Sequence, residues 1–389
     1  MAVLPDNPAP TGLSVYIHWP FCASKCPYCD FNSHVAETVD HARWRWGLMA
    51  ELEHFANETK GRAVTSMFFG GGTPSLMAPE TAAELISAVK SKWSAADDLE
   101  ITLEANPSTA EASLFQAFRD VGVNRLSLGV QSFHDEHLEF LGRGHSADEA
   151  TRAINLAAQT FPRISFDLIY GLPEQTPEQW RDELRGALDL AGDHLSVYQL
   201  TIEPGTVFFR DGIPAADENI GAALYDVTQN TLDDAGLVAY EISNHARAGF
   251  ECRHNLDIWR GGDYVGIGPG AHGRQSMVSG TDALYQVHNP ERWLAKVESD
   301  GHGTAKRHTL EDGARADEIL MTGLRLREGV QAERFKHLTG QDISAFLDKT
   351  RLGQLMQGGF VKQTESSLRV TASGRLCLNE VLRQLLVRP

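Results

Sequence analysis

Six short apolar runs recur in the first half of the chain: Leu13–Trp19, Ser66–Phe69, Leu99–Leu103, Arg125–Gly129, Ile164–Tyr170 and His194–Leu200. Each is rich in Val, Ile, Leu, Phe or Tyr, as buried strands are. Between them lie stretches of helical period, expected over residues 40–58, 79–92, 110–121, 147–159 and 177–191. Several open on start signals. Ala78-Pro79-Glu80 and Thr176-Pro177-Glu178 place proline and an acid in a first turn, and Ser108 to Glu111 has capping-box spacing. Strands alternating with single helices predict βα units on a parallel sheet. The expected class is α/β, a partial (β/α)6 TIM-like barrel, with a flat doubly wound sheet as the alternative.

The polar residues of this first half gather at the ends of the runs. Cys22 follows the first, Gly70-Gly71-Gly72-Thr73 the second, Glu104 and Asn106 the third, and Gln131 and Ser132 the fourth. Asp167 lies within the fifth, and Gln199 and Thr201 end the sixth. In a parallel α/β barrel such ends share one rim, where chemistry is built. From about residue 205 the βα rhythm fades. A helix is expected over 219–235, a strand over Val238–Ile242, then a Gly-rich stretch, Gly261 to Gly273. Beyond residue 308 the pattern is mostly helical, at Ala314–Arg327, Gln331–Thr339 and Gly374–Leu386. A small hairpin, Gly358–Lys362 with Ser367–Thr371, interrupts it and suggests a winged-helix-like unit. The expected division is a core over 1–205, an extension of the barrel over 206–307 and a helix-rich C-terminal domain over 308–389.

Composition narrows the function classes. With 42% hydrophobic and 22% charged residues among 389, the chain can bury a sizeable core and is neither disordered nor fibrous. Its 35 basic and 52 acidic residues leave a formal charge of −17 and no basic segment, which argues against nucleic acid as a partner. No apolar run reaches the roughly 18 residues of a membrane span. Peripheral membrane contact stays open. Met1 to Pro10 carries no secretory pattern, so a cytoplasmic location is expected.

Three of the five cysteines fall within eight residues, as Cys22-x3-Cys26-x2-Cys29. Three thiolates on one short loop can hold three irons of a cubane cluster and leave the fourth iron open to an exchangeable ligand. Zinc is the rival reading, with His18 or His34 completing a set of four. Cys252 and Cys377 fit no ligand spacing and read as buried thiols.

The stretch Tyr16-Ile-His-Trp-Pro-Phe-Cys22, continued through Cys26-Pro-Tyr-Cys29, resembles the opening of radical S-adenosylmethionine (SAM) proteins. Within them the chain is most similar to the coproporphyrinogen III oxidase-like branch, and there to its heme chaperones, over about residues 12–385. The resemblance implies a [4Fe–4S] cluster on Cys22, Cys26 and Cys29 with SAM on the open iron. It implies SAM contacts at Tyr16, at Gly71, Gly72 and Thr73 of the Gly-rich turn, and at Glu104, Gln131, Arg143 and Asp167. It also implies heme as cargo and an acceptor protein as partner. The oxidases of the branch extend the motif by a fourth cysteine, which would fall at position 31, where this chain has Phe31. Its chaperones share a His-Asn-x-x-Tyr-Trp motif associated with heme. Here it reads His254-Asn255-Leu-Asp-Ile258-Trp259, so the tyrosine is lost and His254 is the expected heme ligand. The expected function is heme binding and transfer. Porphyrinogen oxidation or another radical SAM reaction is the alternative, and whether the chain is an enzyme stays open.

Overall fold

A computed structural model describes residues 12–278 and 280–386. The stretch Met1 to Pro10, read above for a leader, lies outside the described residues. Six parallel strands form where the apolar runs predict them: β1 Gly12–Trp19, β2 Ala63–Gly71, β3 Ser94–Ala105, β4 Arg125–Gln131, β5 Arg163–Tyr170 and β6 His194–Gln199. Both faces of β1 are buried over most of its length, which explains its near-continuous apolar sequence. β2 and β3 are longer than their apolar runs, because pairing with neighbours recruits polar residues at their ends.

Helices His41–Glu58, Pro79–Lys92, Ala147–Thr160 and Pro177–Leu188 connect these strands. The start signals act as read. Pro79 and Pro177 open their helices, and Thr176 with Gln179 completes a reciprocal cap. The helix expected over 110–121 is instead two short pieces, Thr109–Ala112 and Phe115–Asp120. The break lets Phe115 and Phe118 both turn into the core.

The second half of the chain completes the same sheet. β7 Val238–Ala239 and β8 Asn244–Ala246 replace the single strand expected there and extend the edge beyond β6. β9 Asp263–Ile267 pairs parallel to β1, as a seventh parallel strand. β10 His272–Met277, β11 Gly280–Gln286 and β12 Thr304–Thr309 then fold back as an antiparallel wing. The order is β12-β11-β10-β9-β1-β2-β3-β4-β5-β6-β8-β7, an open sheet of twelve strands whose two edges do not pair.

One apolar core runs from Leu13 to Val297 and includes Leu224, Val265 and Trp293, so residues 206–307 pack into the same body as the barrel. A second core, Ala316 to Leu385, belongs to the C-terminal unit. There β13 Val330–Gln331, β14 Val361–Gln363 and β15 Ser367–Val370 form a small antiparallel sheet among helices, with the expected hairpin at its centre. No helix among the described residues is long and apolar enough to cross a membrane.

Candidate functional site

The C-terminal ends of the parallel strands surround a cavity of about 580 Å³. Its wall contains Cys22, Cys26, Cys29, Gly71, Gly72, Thr73, Glu104, Gln131, Arg143 and Asp167. These residues come from five different βα units, and the parallel topology brings their strand ends to one rim.

The cysteine loop begins at the end of β1 and is zipped to the Gly-rich turn after β2. Gly72 N–H donates to Trp19 O at 2.7 Å, and Thr73 N–H donates to Phe21 O at 2.8 Å. Gly71 has φ +115°, and a Cβ there would stand 2.6 Å from the His18 ring. Only glycine allows that approach. Each thiol meets a neighbouring donor group. Thr73 Oγ1 lies 3.3 Å from Cys22 Sγ, Arg143 Nη1 3.2 Å from Cys26 Sγ, and Ser33 Oγ 3.5 Å from Cys29 Sγ. Burial pushes the Cys22 thiol pKa up, and the Thr73 hydroxyl opposes that shift. Three sulfurs each facing a donor suit three thiolates.

Arg143 also donates through Nη2 to Gly129 O at 2.7 Å and to Asn106 Oδ1, while its Nε is buried without a partner. Across the cavity Glu104 accepts from Gly71 N–H at 3.2 Å. Burial, with the nearby Asp167 charge, raises the Glu104 pKa to about 8. Burial likewise raises Asp167 to about 6, against the pull of the Ser196 hydroxyl and Arg125, and its Oδ1 has no hydrogen-bond partner. Two buried carboxyls whose ionised forms are under-satisfied favour a cationic ligand. Gln131 takes φ +77°, a left-handed backbone unusual for a side-chain-bearing residue.

Two of the residues singled out from sequence do not line the cavity. Tyr16 is half-buried on β1, with its hydroxyl hydrogen-bonded to His18 Nδ1 at 3.0 Å. His254 lies deeper. Its Nδ1 is 3.0 Å from Ser66 Oγ, and its ring stacks on Phe68 with centroids 5.0 Å apart. It is 4% exposed. Its ring also lies 6.2 Å from that of Tyr16, so His254 sits beneath the Tyr16 and Phe68 rings rather than on the cavity wall. Burial lowers its pKa to about 3, which keeps it neutral. The expected heme ligand is thus part of a plug at the closed end of the barrel. Its helix, Arg253–Trp259, serves the same end. Asp257 accepts from Ser14 and Thr65, and Trp259 stacks under Arg325 of the C-terminal unit at 4.8 Å.

The zinc alternative finds no converging ligand set. His18 uses both ring nitrogens, one on Tyr16 and one on Asn32 O, and His34, held by Asn32 Oδ1 through Nε2 alone at 2.8 Å, does not converge with the thiols. Among the described residues no group of three His, Cys, Asp or Glu converges on a single ion. Cys252 is buried as expected, but Cys377 is half-exposed.

Some wall residues carried no sequence signal for the site. His145 and Tyr198 line the cavity, as does Glu111, which was visible only as a helix cap; Tyr28 and Phe31 of the cysteine motif join them. Glu111 accepts from Asn106 N–H at 2.8 Å and from Ser75, and so fixes the loop after β3.

Comparison with known proteins places this geometry. The Radical SAM superfamily matches residues 16–185, and the HemN C-terminal domain matches residues 310–377. A mitochondrial radical S-adenosyl methionine domain-containing protein 1 from Bos taurus is 38% identical over 99% of this chain and 90% of its own length. The heme chaperone HemW of Haemophilus influenzae is 38% identical over 96% of this chain and 98% of its own. The solved structure of coproporphyrinogen III oxidase (HemN) from Escherichia coli superposes with a TM-score of 0.80 at 23% identity, over 96% of this chain and 90% of that one, a likeness of fold. At this identity, over nearly their whole length and its own, the chain belongs to the radical SAM superfamily, in the coproporphyrinogen III oxidase-like branch that includes the HemW heme chaperones.

Proposed function

We propose that this chain is a heme chaperone that binds heme and passes it to an acceptor protein, on a scaffold holding a [4Fe–4S] cluster and SAM. One observation carries the reading: three thiols on one cleft wall, each facing a donor, in a chain similar over nearly its full length to heme chaperones. The donor set fits the cluster. Cubane thiolates sit on three separate irons and need not converge on one ion. The cavity fits SAM. Buried Arg143 Nε and Asp167 Oδ1 both lack partners, and the wall offers the Glu104 and Asp167 carboxyls together with the Arg143 guanidinium.

Cys22, Cys26 and Cys29 would hold the cluster. Gly71, Gly72, Thr73, Glu104, Gln131, Arg143 and Asp167 would line SAM, with Tyr16 supporting the floor through His18. When bound, the cluster supplies one-electron reduction of the SAM sulfonium. The chain's own residues do the rest. Arg143, Thr73 and Ser33 stabilise negative charge on the sulfurs. Glu104 and Asp167 attract the cationic ligand and ionise as it binds. Arg143, forked between Cys26 and the β4 carbonyl of Gly129, is suited to a carboxylate. Five unpaired cysteines fit a reducing compartment such as the cytoplasm.

Phe31 separates this reading from porphyrinogen oxidation. It is 64% exposed on the cysteine loop, and a phenyl ring cannot do thiol chemistry. The test is anaerobic reconstitution with iron and sulfide, heme titration, and mixing of the loaded chain with an apo heme protein. Cluster assembly, heme uptake and transfer are expected, with no protoporphyrinogen formed from coproporphyrinogen III and SAM. Turnover of the porphyrinogen, or failure to take up heme, would replace the reading with an enzymatic one.

A further inference from the structure

With His254 in the barrel plug, the cargo needs another ligand. One cluster of imidazoles lies outside the cavity, on the far flank of the cysteine loop. His34 and His288 stand with ring centroids 6.5 Å apart. His272 is nearby at the start of β10, packed edge-on against Tyr285 at 4.7 Å. His272 and His288 are exposed and His34 half-buried. Val35, next to His34, and Phe31, at the cavity's outer edge, are 56% and 64% exposed, apolar surface next to the cysteines.

Asn32 organises this flank. Its Nδ2 donates to Pro269 O and to His288 O, each at 2.9 Å, so its Oδ1 faces His34 Nε2 at 2.8 Å. A carboxamide oxygen only accepts, so His34 carries its proton on Nε2. Its Nδ1 is then a lone pair with no hydrogen bond among the described residues. Metal-ligating histidines are typically oriented in this way, with the other ring nitrogen donating to an oxygen. The Gly261–Gly273 stretch explains how Asn32 reaches this position: Gly270, at φ +74°, leaves room where a Cβ would stand 2.4 Å from Asn32 Nδ2. His34 itself is pinned to the cluster loop, because His34–Val35 pairs parallel with Phe21–Cys22.

The charges match a porphyrin with two propionates. Lys25 reaches Ser33 O at 3.3 Å beside His34, and Lys306 stands over the Tyr285 ring at 5.9 Å. We propose that heme is seated on this outer flank, against Phe31 and Val35, with His34 Nδ1 as an axial ligand and His288 as the second imidazole of the site. The inference rests on the chaperone reading and deepens it. The bond formed is dative, from an unprotonated imidazole to the heme iron, with no electron transferred. Lys25 and Lys306 pair with the propionates.

The experiment is heme titration of the anaerobically reconstituted full chain, followed by Soret absorbance and electron paramagnetic resonance. His34→Ala is expected to weaken heme binding at least tenfold and to change the axial-ligand signature. His34→Ala with His288→Ala is expected to remove histidine ligation altogether. Iron, sulfide and SAM binding, measured on the same samples, are expected to hold, since both side chains lie outside the cavity. His254→Gln is expected to leave the heme spectrum unchanged. Wild-type heme affinity and spectrum in the double variant would overturn this site and leave the chaperone reading standing. A wild-type chain that takes up no heme would overturn both.

Discussion

Glu104 and Asp167 set the electrostatics of the cavity. Both have carboxyl pKa values raised by burial, to about 8 and about 6. A carboxyl raised in the folded state contributes stability that is complete below its unfolded pKa and lost as pH rises through the folded one. The unliganded chain should therefore lose stability as pH rises from about 4 to about 8, Asp167 contributing up to about pH 6 and Glu104 up to about pH 8, as these groups are forced to ionise without a partner. A cation in the cavity reverses the sign, so SAM affinity is expected to rise over the same window. Calorimetric titration at pH 6 and pH 8.5 checks this. Glu104→Gln should weaken binding and flatten much of the pH dependence; a wild-type affinity flat with pH would remove the electrostatic role. Arg143→Ala should cost SAM at least tenfold in affinity, or about 1.4 kcal/mol, because its fork serves a sulfur, a strand carbonyl and the Asn106 side chain at once. Unaltered SAM binding in that variant would argue against the guanidinium as a ligand group.

The Gly-rich turn after β2 is the element on which the site depends. Its backbone hydrogen bonds hold the cysteine loop, and Gly71 has room for no side chain. Gly71→Ala combines a positive φ with a clash against His18, and should cost about 1–3 kcal/mol. Gly144→Ala provides the contrast, since nothing lies within 4 Å of a Cβ there. Thermal unfolding of the two variants should differ by several degrees; equal melting temperatures would mean that the turn relaxes freely. This turn was legible from its glycines and its position after a strand. The antiparallel wing was not. β10 and β12 read His-Gly-Arg-Gln-Ser-Met and Thr-Ala-Lys-Arg-His-Thr, without apolar alternation, and are strands because their neighbours supply the hydrogen bonds.

At the scale of the whole molecule, two cores meet at a polar joint. Arg315, 6% exposed, donates to Gly261 O at 2.5 Å, and Arg274 of β10 pairs with Glu318 at 2.8 Å. Arg315→Ala would leave that buried carbonyl without its partner, at a cost of about 1–3 kcal/mol. Hydrogen exchange should then quicken across helix Asp312–Gly323 while β1 to β6 stay protected, because the barrel core does not depend on this contact. Unchanged exchange in the C-terminal unit would show that the two bodies are joined elsewhere.

Periodicity and spacing are short-range properties, so the sequence alone determined the βα rhythm, the helix starts, the cysteine loop and the rim of polar strand ends. Each of these depends on residues within a few positions of one another, and the parallel topology carries them to one place. Position across the sheet depends on contacts between residues hundreds of positions apart, and only the tertiary structure decided those. It put His254 in the plug, although its motif suggested a ligand, because the helix carrying it closes the barrel against Ser66 and Phe68. It brought His34, His272 and His288 together because a seventh parallel strand and its antiparallel wing pack beside β1.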